Sequence, residues 1–425
     1  MQKNKKAYGM LKQKISKRLV ILTLILPVVL SGCVFGVRPK QAPQDQLPPQ
    51  GGLFRSEDLG ATWEKVTTIY TAGEQNLSFD VSNITTIALD PQDETAVYVG
   101  TQNEGIFYSY DYGEGWFNTL PLKGTVNAIA VDPQRSCTIY AALHNNIYKS
   151  EDCSRHWEPV YFEARAGQFI TALTVDAKRN NIVYAGTSGG SILKSADYGW
   201  SWDVKMRLDN YIKKIIVQNH HNPDILWVAT QGKGVFRSGD QGETWDDVME
   251  QDVDQAEIDE EAVFIALVEK TEARMRREMT DEEYKAFAQQ YKYKKFNAIG
   301  GSKMAMSLDS DKTIEDAIIY ANRLGVHRLT WETVYTTGPD GEDVQGGLWK
   351  EISLLTPKAT DNVYSAVVNP RNTKEIIYGT GNALYHSLDG GVNWNISPLP
   401  TNFTARVLEF SPDNKFLYLG AYQIK

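Results

Sequence analysis

An eight-residue pattern, Ser-x-Asp-x-Gly-x-x-Trp, recurs along the 425-residue chain and restricts its fold more than any other feature. Complete copies are Ser56-x-Asp58-x-Gly60-x-x-Trp63, Ser109-x-Asp111-x-Gly113-x-x-Trp116 and Ser195-x-Asp197-x-Gly199-x-x-Trp202. Two more are Ser238-x-Asp240-x-Gly242-x-x-Trp245 and Ser387-x-Asp389-x-Gly391-x-x-Trp394. A variant, Ser150-x-Asp152-x-Ser154-x-x-Trp157, carries serine where the others have glycine. Ser and Asp oxygens accept backbone N–H groups within a tight turn, and Gly supplies the positive φ such a turn needs. The Trp then returns a large apolar surface between neighbouring sheets.

Upstream of the turns stand paired runs rich in β-branched and aromatic residues. Thr86-Ile-Ala-Leu-Asp90-Pro91 precedes Ala96-Val-Tyr-Val-Gly100-Thr101, and Ala128-Ile-Ala-Val-Asp132-Pro133 precedes Thr138-Ile-Tyr-Ala-Ala142. Each pair reads as a hairpin, a third strand enters the Ser-Asp turn and a fourth leaves it with the Trp. Four antiparallel strands in roughly forty residues make one blade of a β-propeller.

The repeat resembles the Asp-box (BNR) motif of sialidases, sortilin-type (VPS10) receptors and photosystem II assembly-factor-like propellers. That resemblance implies that the box is the outer turn of each blade and is structural. Blades are expected at 84–120, 126–160, 170–205, 212–248, 303–352 and 362–399. The unit at 303–352 has lost its box, and residues 331–347 read as a longer polar turn. Residues 52–68 supply only a third and fourth strand, and 406–420 only a first and second. The expected fold is therefore all-β: a seven-bladed propeller over 51–425 whose last sheet is shared by both termini, leaving no open edge.

Residues 250–297 interrupt the β pattern with an acidic start, helix formers at near-helical spacing and a capping-box sequence at Thr280–Glu283. They read as an inserted helical hairpin. It serves as a lid or buttress, as a partner-docking element, or remains disordered.

The N-terminus addresses the compartment. Seven Lys and Arg residues and no acid precede and flank an apolar run, Leu19–Leu30, too short for a typical membrane span. The run ends in Leu30-Ser-Gly-Cys33, which resembles the lipobox of bacterial lipoproteins. The resemblance implies a signal peptide at 1–32, cleavage before Cys33 and lipidation of its sulfur, anchoring the protein outside the cytoplasmic membrane or at the outer membrane. Residues 33–50, rich in Pro and Gln, form a flexible tether. Without residues 1–32 the chain keeps 37 basic against 53 acidic residues, a net charge of −16, which disfavours nucleic acid as a partner.

Cys137 opens a second strand and Cys153 lies in the turn after the third, at the same end of one blade. A disulfide there closes a loop of about 16 residues, worth roughly 3 kcal/mol; two buried free thiols are the alternative.

No metal-ligand cluster, phosphate-binding loop, dinucleotide fingerprint or nucleophile elbow occurs, so no cofactor is expected. Aligning the blades on their Asp-Pro turns places Thr85, Asn127, Thr171, Lys213, Tyr364 and Arg406 at one mouth of the central channel. Two cations among polar and aromatic groups suit a peptide or another anionic ligand. The sequence reading is thus a membrane-anchored protein- or peptide-binding propeller, a scaffold or assembly factor and not an enzyme. The alternative is a sialidase-like or other exo-acting glycoside hydrolase. Against it, no Arg-Ile-Pro-type motif precedes Ser56, and Arg207, Arg323 and Arg406 show no triad spacing.

Overall fold

Alternating β-branched and aromatic runs separated by tight turns produce seven antiparallel sheets of four strands in the computed structural model. It describes residues 51–71, 77–218, 222–249, 305–310, 317–323, 325–337, 343–352, 354 and 362–424, with a few positions between 272 and 283. All the described residues belong to one compact unit, Ala42–Lys425. Blade one runs Ile84–Leu89, Val97–Thr101, Ile106–Ser109 and Phe117–Thr119 from the innermost strand outwards. Blades two, three and four begin at Val126–Val131, Ile170–Val175 and Ile212–Val217, and blades five and six at Ala305–Ser310 and Ser365–Asn369.

Blade seven joins the two ends of the chain. Thr404–Phe410 and Leu417–Tyr422 form its inner half, and Leu53–Ser56 and Glu64–Lys65 its outer half. The seam pairs Leu53 with Gly420 and Ser56 with Leu417, so neither half presents an unpaired edge.

The core is divided among the blade interfaces. Seven apolar clusters each draw on two consecutive blades, including one between blades seven and one around Leu53, Ile84, Val97 and Tyr418. One aromatic in the second strand of each blade is fully buried: Tyr98, Tyr140, Tyr184, Trp227 and Tyr418 at one register, and Tyr320 and Tyr378 one residue further along. Burying one such side chain is worth about 2 kcal/mol, so the stacked blades stabilise one another.

The six Ser-Asp turns share one geometry. In Ser195–Trp202 the Ser195 hydroxyl accepts the Gly199 N–H at 2.8 Å and donates to Asp197, which accepts the Ser201 N–H at 2.8 Å. Two successive residues are left-handed in every copy, such as Tyr198 (φ 62°) and Gly199 (φ 89°). In the variant copy Cys153 and Ser154 hold this conformation, with φ of 60° and 68°. Cys153 is disulfide-bonded to Cys137, with Cα atoms 4.0 Å apart.

Two local expectations change. Residues 331–337 and 343–347 are not a polar turn: the third and fourth strands of blade five extend to Gly325–Thr337 and Asp343–Ile352. Thr333, Val334 and Val344 have the β propensity to continue a hairpin once the box no longer stops it. Residues 66–83 also hold a small hairpin, Thr68–Ile69 with Leu77–Ser78, whose Thr68 and Tyr70 exchange main-chain bonds with Trp116. This segment explains why Trp116 is fully buried while the other box tryptophans are only partly covered. Of the expected helical insertion at 250–297, the described residues include the capping box, in which Thr280 N–H donates to Glu283 Oε2 at 2.9 Å and Glu283 N–H to Thr280 Oγ1 at 3.3 Å. Apart from the few described positions between 272 and 283, the insertion, the signal segment, Cys33 and the tether lie outside the described residues.

Candidate functional site at the channel mouth

Each innermost strand starts at one end of the central channel, and six of the seven start with a bulge. Thr85, Asn127, Thr171, Lys213, Met306 and Arg406 are the extra residues, each between two ladder-paired neighbours. In blade six Tyr364 occupies the matching place, and its N–H donates to the Gly379 carbonyl at 2.9 Å. The six rim residues read from the sequence are thus structurally equivalent, and Met306 is the seventh, hidden by the divergence of its blade. A bulge re-aims its side chain, here along the rim. The Ser-Asp turns follow the third strands and lie at the opposite end of the blades.

Most rim positions are occupied with closing the ring. Thr85 Oγ1 donates to the Val126 carbonyl at 2.6 Å, Asn127 Nδ2 to the Ile170 carbonyl at 2.7 Å and Thr171 Oγ1 to the Ile212 carbonyl at 2.6 Å. Each bond ties a blade to the first inner-strand residue of the next. In blades five and six, where the rim residue is Met306 or Tyr364, the following serine bonds a carbonyl of the next inner strand instead. Ser307 Oγ donates to Ala366 O at 3.0 Å and Ser365 Oγ to Ala405 O at 2.7 Å. Thr85, Asn127 and Thr171 are therefore ring staples through these atoms.

Blades four and seven differ. Their rim residues are Lys213 and Arg406, and among the described residues neither makes such a staple. The following residues are Lys214 and Val407. Lys214 Nζ instead reaches Glu409 Oε1 at 3.7 Å, an ion pair between blades four and seven that crosses the channel. Arg406 lies 5.7 Å over the Tyr422 ring, and Tyr211 meets Phe169 edge-on at 6.0 Å. Burial, then the positive charges of Arg406 and Lys214, bring the Lys213 ammonium down to about 7. Burial pushes the Tyr211 phenol up, against the opposing effect of Arg406. Lys214, Glu409 and Met306 were not legible as site residues, because only ring closure brings strands so distant in sequence together.

Carboxylates on the mouth side include Glu104, Glu163 and Asp209, whereas Glu409 lies deeper, one residue from the end of its innermost strand. Glu104 follows a second strand and accepts the Ser82 hydroxyl at 2.5 Å. Asp209 is exposed in the connection entering blade four. Glu163 is buried, and Arg165 bonds both its oxygens and holds its carboxyl below the usual range. Among the described residues no group of three His, Cys, Asp or Glu side chains could hold a metal ion, and no helix is long and apolar enough to cross a membrane.

No family model matches the chain. Over 84 residues it is 34% identical to the xyloglucanase Xgh74A of Acetivibrio thermocellus, a match covering 19% of this chain and 10% of that protein. Among solved structures it resembles a GH74 xyloglucanase from Xanthomonas campestris, with a TM-score of 0.55 and 14% identity, over 88% of this chain and 53% of the other. YCF48 from Cyanidioschyzon merolae matches with a TM-score of 0.53 and 10% identity, over 83% of this chain and 98% of that one. The chain thus spans about half the length of the xyloglucanase structure. These structural likenesses carry the seven-bladed fold. The sequence match corrects the expectation of a non-enzymatic binding scaffold, because it falls on a polysaccharide-cleaving enzyme and favours the glycoside hydrolase alternative. A sialidase is marked by its arginine triad, whereas most glycosidic cleavage needs only two carboxyl groups, which no local motif in a sequence marks.

Proposed function

We propose that this propeller is a glycoside hydrolase acting on a xyloglucan-type β-glucan. The observation that carries the reading is the 84-residue stretch 34% identical to Xgh74A. The mouth has chemistry that suits a sugar polymer. The rings of Phe169, Tyr211, Tyr364 and Tyr422 are partly exposed there, and aromatic faces with a few placed polar groups are the usual lining of a small-molecule or sugar site.

Glycosidic cleavage needs one carboxyl group to protonate the leaving oxygen and a second to attack the sugar or activate water. Glu104 and Asp209 at the mouth, and Glu409 deeper on its innermost strand, are the described carboxylates that fit these roles. Glu163 is committed to Arg165. The chain corresponds to about half of the xyloglucanase structure, so substrate, cleft and roles are all part of this proposal.

The lipobox-like Leu30–Cys33 supports an enzyme exported and tethered outside the cytoplasmic membrane, where polymeric glucan is met. Cys33→Ser is expected to move the protein from the membrane to the soluble fraction; unchanged membrane retention would remove the anchor.

The test is a panel of xyloglucan, unsubstituted β-1,4-glucan and a sialyl glycoside offered to the purified chain. Reducing ends should appear from xyloglucan and disappear in at least one of Glu104→Gln, Asp209→Asn and Glu409→Gln. Release from the sialyl glycoside alone would overturn the substrate class.

A further inference from the structure

Blades four and seven break a rule that the other five blades obey, and they break it together. At the interfaces from blades one to two, two to three, three to four, five to six and six to seven, a Thr, Asn or Ser side chain satisfies the carbonyl of the next inner strand. At the other two, the bulge carries Lys213 or Arg406. Both are on strands that the Lys214–Glu409 pair links across the channel. Among the described residues no carboxylate pairs with Lys213 or Arg406; Glu409, three residues beyond Arg406 on the same strand, is engaged by Lys214.

Two cations so placed repel each other and lose hydration, a cost that nothing in the ring's own closure requires. Thr, Asn or Ser would close the ring there as elsewhere. A bound anion relieves both costs. A guanidinium presents a planar fork that matches a carboxylate, and a nearby ammonium adds a point charge. The surrounding groups are aromatic: Tyr422 beneath Arg406, and Tyr211 against Phe169. A ligand with one carboxylate and an apolar ring face satisfies both sets.

We propose that the channel mouth binds an acidic sugar, its carboxylate held between Arg406 and Lys213 and its ring against the neighbouring aromatic side chains. This rests on the glycan reading and names a feature of the ligand that the reading leaves open: a uronic-acid unit, as a free sugar or a branch of a polymer.

The site carries a pH signature. Among the described residues the charged groups that act on Lys213 are Arg406 and Lys214, and Lys214 is itself paired with Glu409. Burial and its two cationic neighbours bring Lys213 to about 7, so an anion meets a charged ammonium below that pH and a neutral amine above it. Binding should therefore weaken as pH rises from 7 to 9, approaching tenfold per pH unit.

Calorimetry on the full chain with galacturonate, galactose and inorganic phosphate tests this directly. Galacturonate should bind at pH 6, and galactose at least tenfold more weakly. Arg406→Met and Lys213→Met should each weaken galacturonate binding at least tenfold while still melting cooperatively, and Lys213→Arg should restore it and abolish the loss at pH 9. Equal affinity for galactose, tighter binding of phosphate, or full binding by the folded methionine variants would overturn the proposal. Galacturonate binding without glucan hydrolysis would remove the enzyme reading and keep the site. Hydrolysis without galacturonate binding would do the reverse.

Discussion

The Tyr140 hydroxyl donates to the main-chain carbonyl of Tyr198 at 2.9 Å, tying the second strand of blade two to the Ser-Asp turn of blade three. The acceptor is the first of the two left-handed residues of that turn. Tyr184 repeats the bond to Gln241 at 3.2 Å and Tyr418 to Tyr112 at 3.1 Å, so the last crosses the seam between blades seven and one. The outer turns thus hold neighbouring blades in step.

Removing one of these hydroxyls leaves the ring packed but a partly buried carbonyl without its donor. Tyr140→Phe is expected to cost about 1 kcal/mol in urea unfolding, with an unchanged m-value. No loss would mean that the bond is replaced by water.

Ser154 is the test of the turn's backbone. It sits at φ 68° where the other copies have glycine, and its buried hydroxyl oxygen has no hydrogen-bond partner among the described residues. Ser154→Gly should relieve both, stabilising by roughly 1 kcal/mol after allowing for glycine's freedom in the unfolded chain. Gly113→Ser (φ 91° in the parent) should destabilise by a similar amount. The comparison is read as a pair of melting temperatures.

Acid should loosen the turns. The Ser201 hydroxyl and then its N–H hold the Asp197 carboxyl at about 2; the main chain and then the side chain of Asn393 hold Asp389 at about 2 as well. Folded values below the unfolded ones, near 3.9, mean stability present above about pH 4 and lost as pH falls towards 2. The melting temperature should drop across that interval. Asp197→Asn should be less stable than the parent at pH 7, with the gap narrowing at pH 2.

Lys213 should act in the opposite sense. Its folded value of about 7 lies below the unfolded value near 10.4, so folding becomes more favourable as pH rises between the two. Below pH 7 the chain carries the full penalty of a desolvated ammonium beside Arg406. Lys213→Met should therefore be more stable than the parent below pH 7, on the order of 2 kcal/mol with channel water moderating the effect, and no more stable above pH 11. Thermal melts at pH 6 and pH 10 measure the difference.

What could be read from the residues follows from how local the physics is. A turn closed by Ser195 and Asp197 on their own N–H groups lies within eight residues, so the repeat announced it, and with it the blade and the shared last sheet. The rim was legible too: the turns that end the innermost strands, Asp90-Pro91, Asp132-Pro133 and their counterparts in the other blades, fix the register, and Thr85, Asn127, Thr171, Lys213, Tyr364 and Arg406 are equivalent. Their roles were not. Whether a rim side chain bonds the next blade or faces the channel depends on its neighbour across the interface. The Lys214–Glu409 pair joins strands nearly 200 residues apart, which no spacing in the sequence reveals. The carboxylates proposed for catalysis were not legible for the same reason, since Glu104 and Asp209 sit on separate connections.

The central claim is that this propeller hydrolyses a xyloglucan-type β-glucan, and one measurement reaches it directly. Xyloglucan is incubated with the purified chain in water enriched in oxygen-18, and the products are analysed by mass spectrometry. The account predicts shortened oligosaccharides with one oxygen-18 at each new reducing end. Uncut polymer, in the presence of protein that still melts as a cooperative unit, would contradict it.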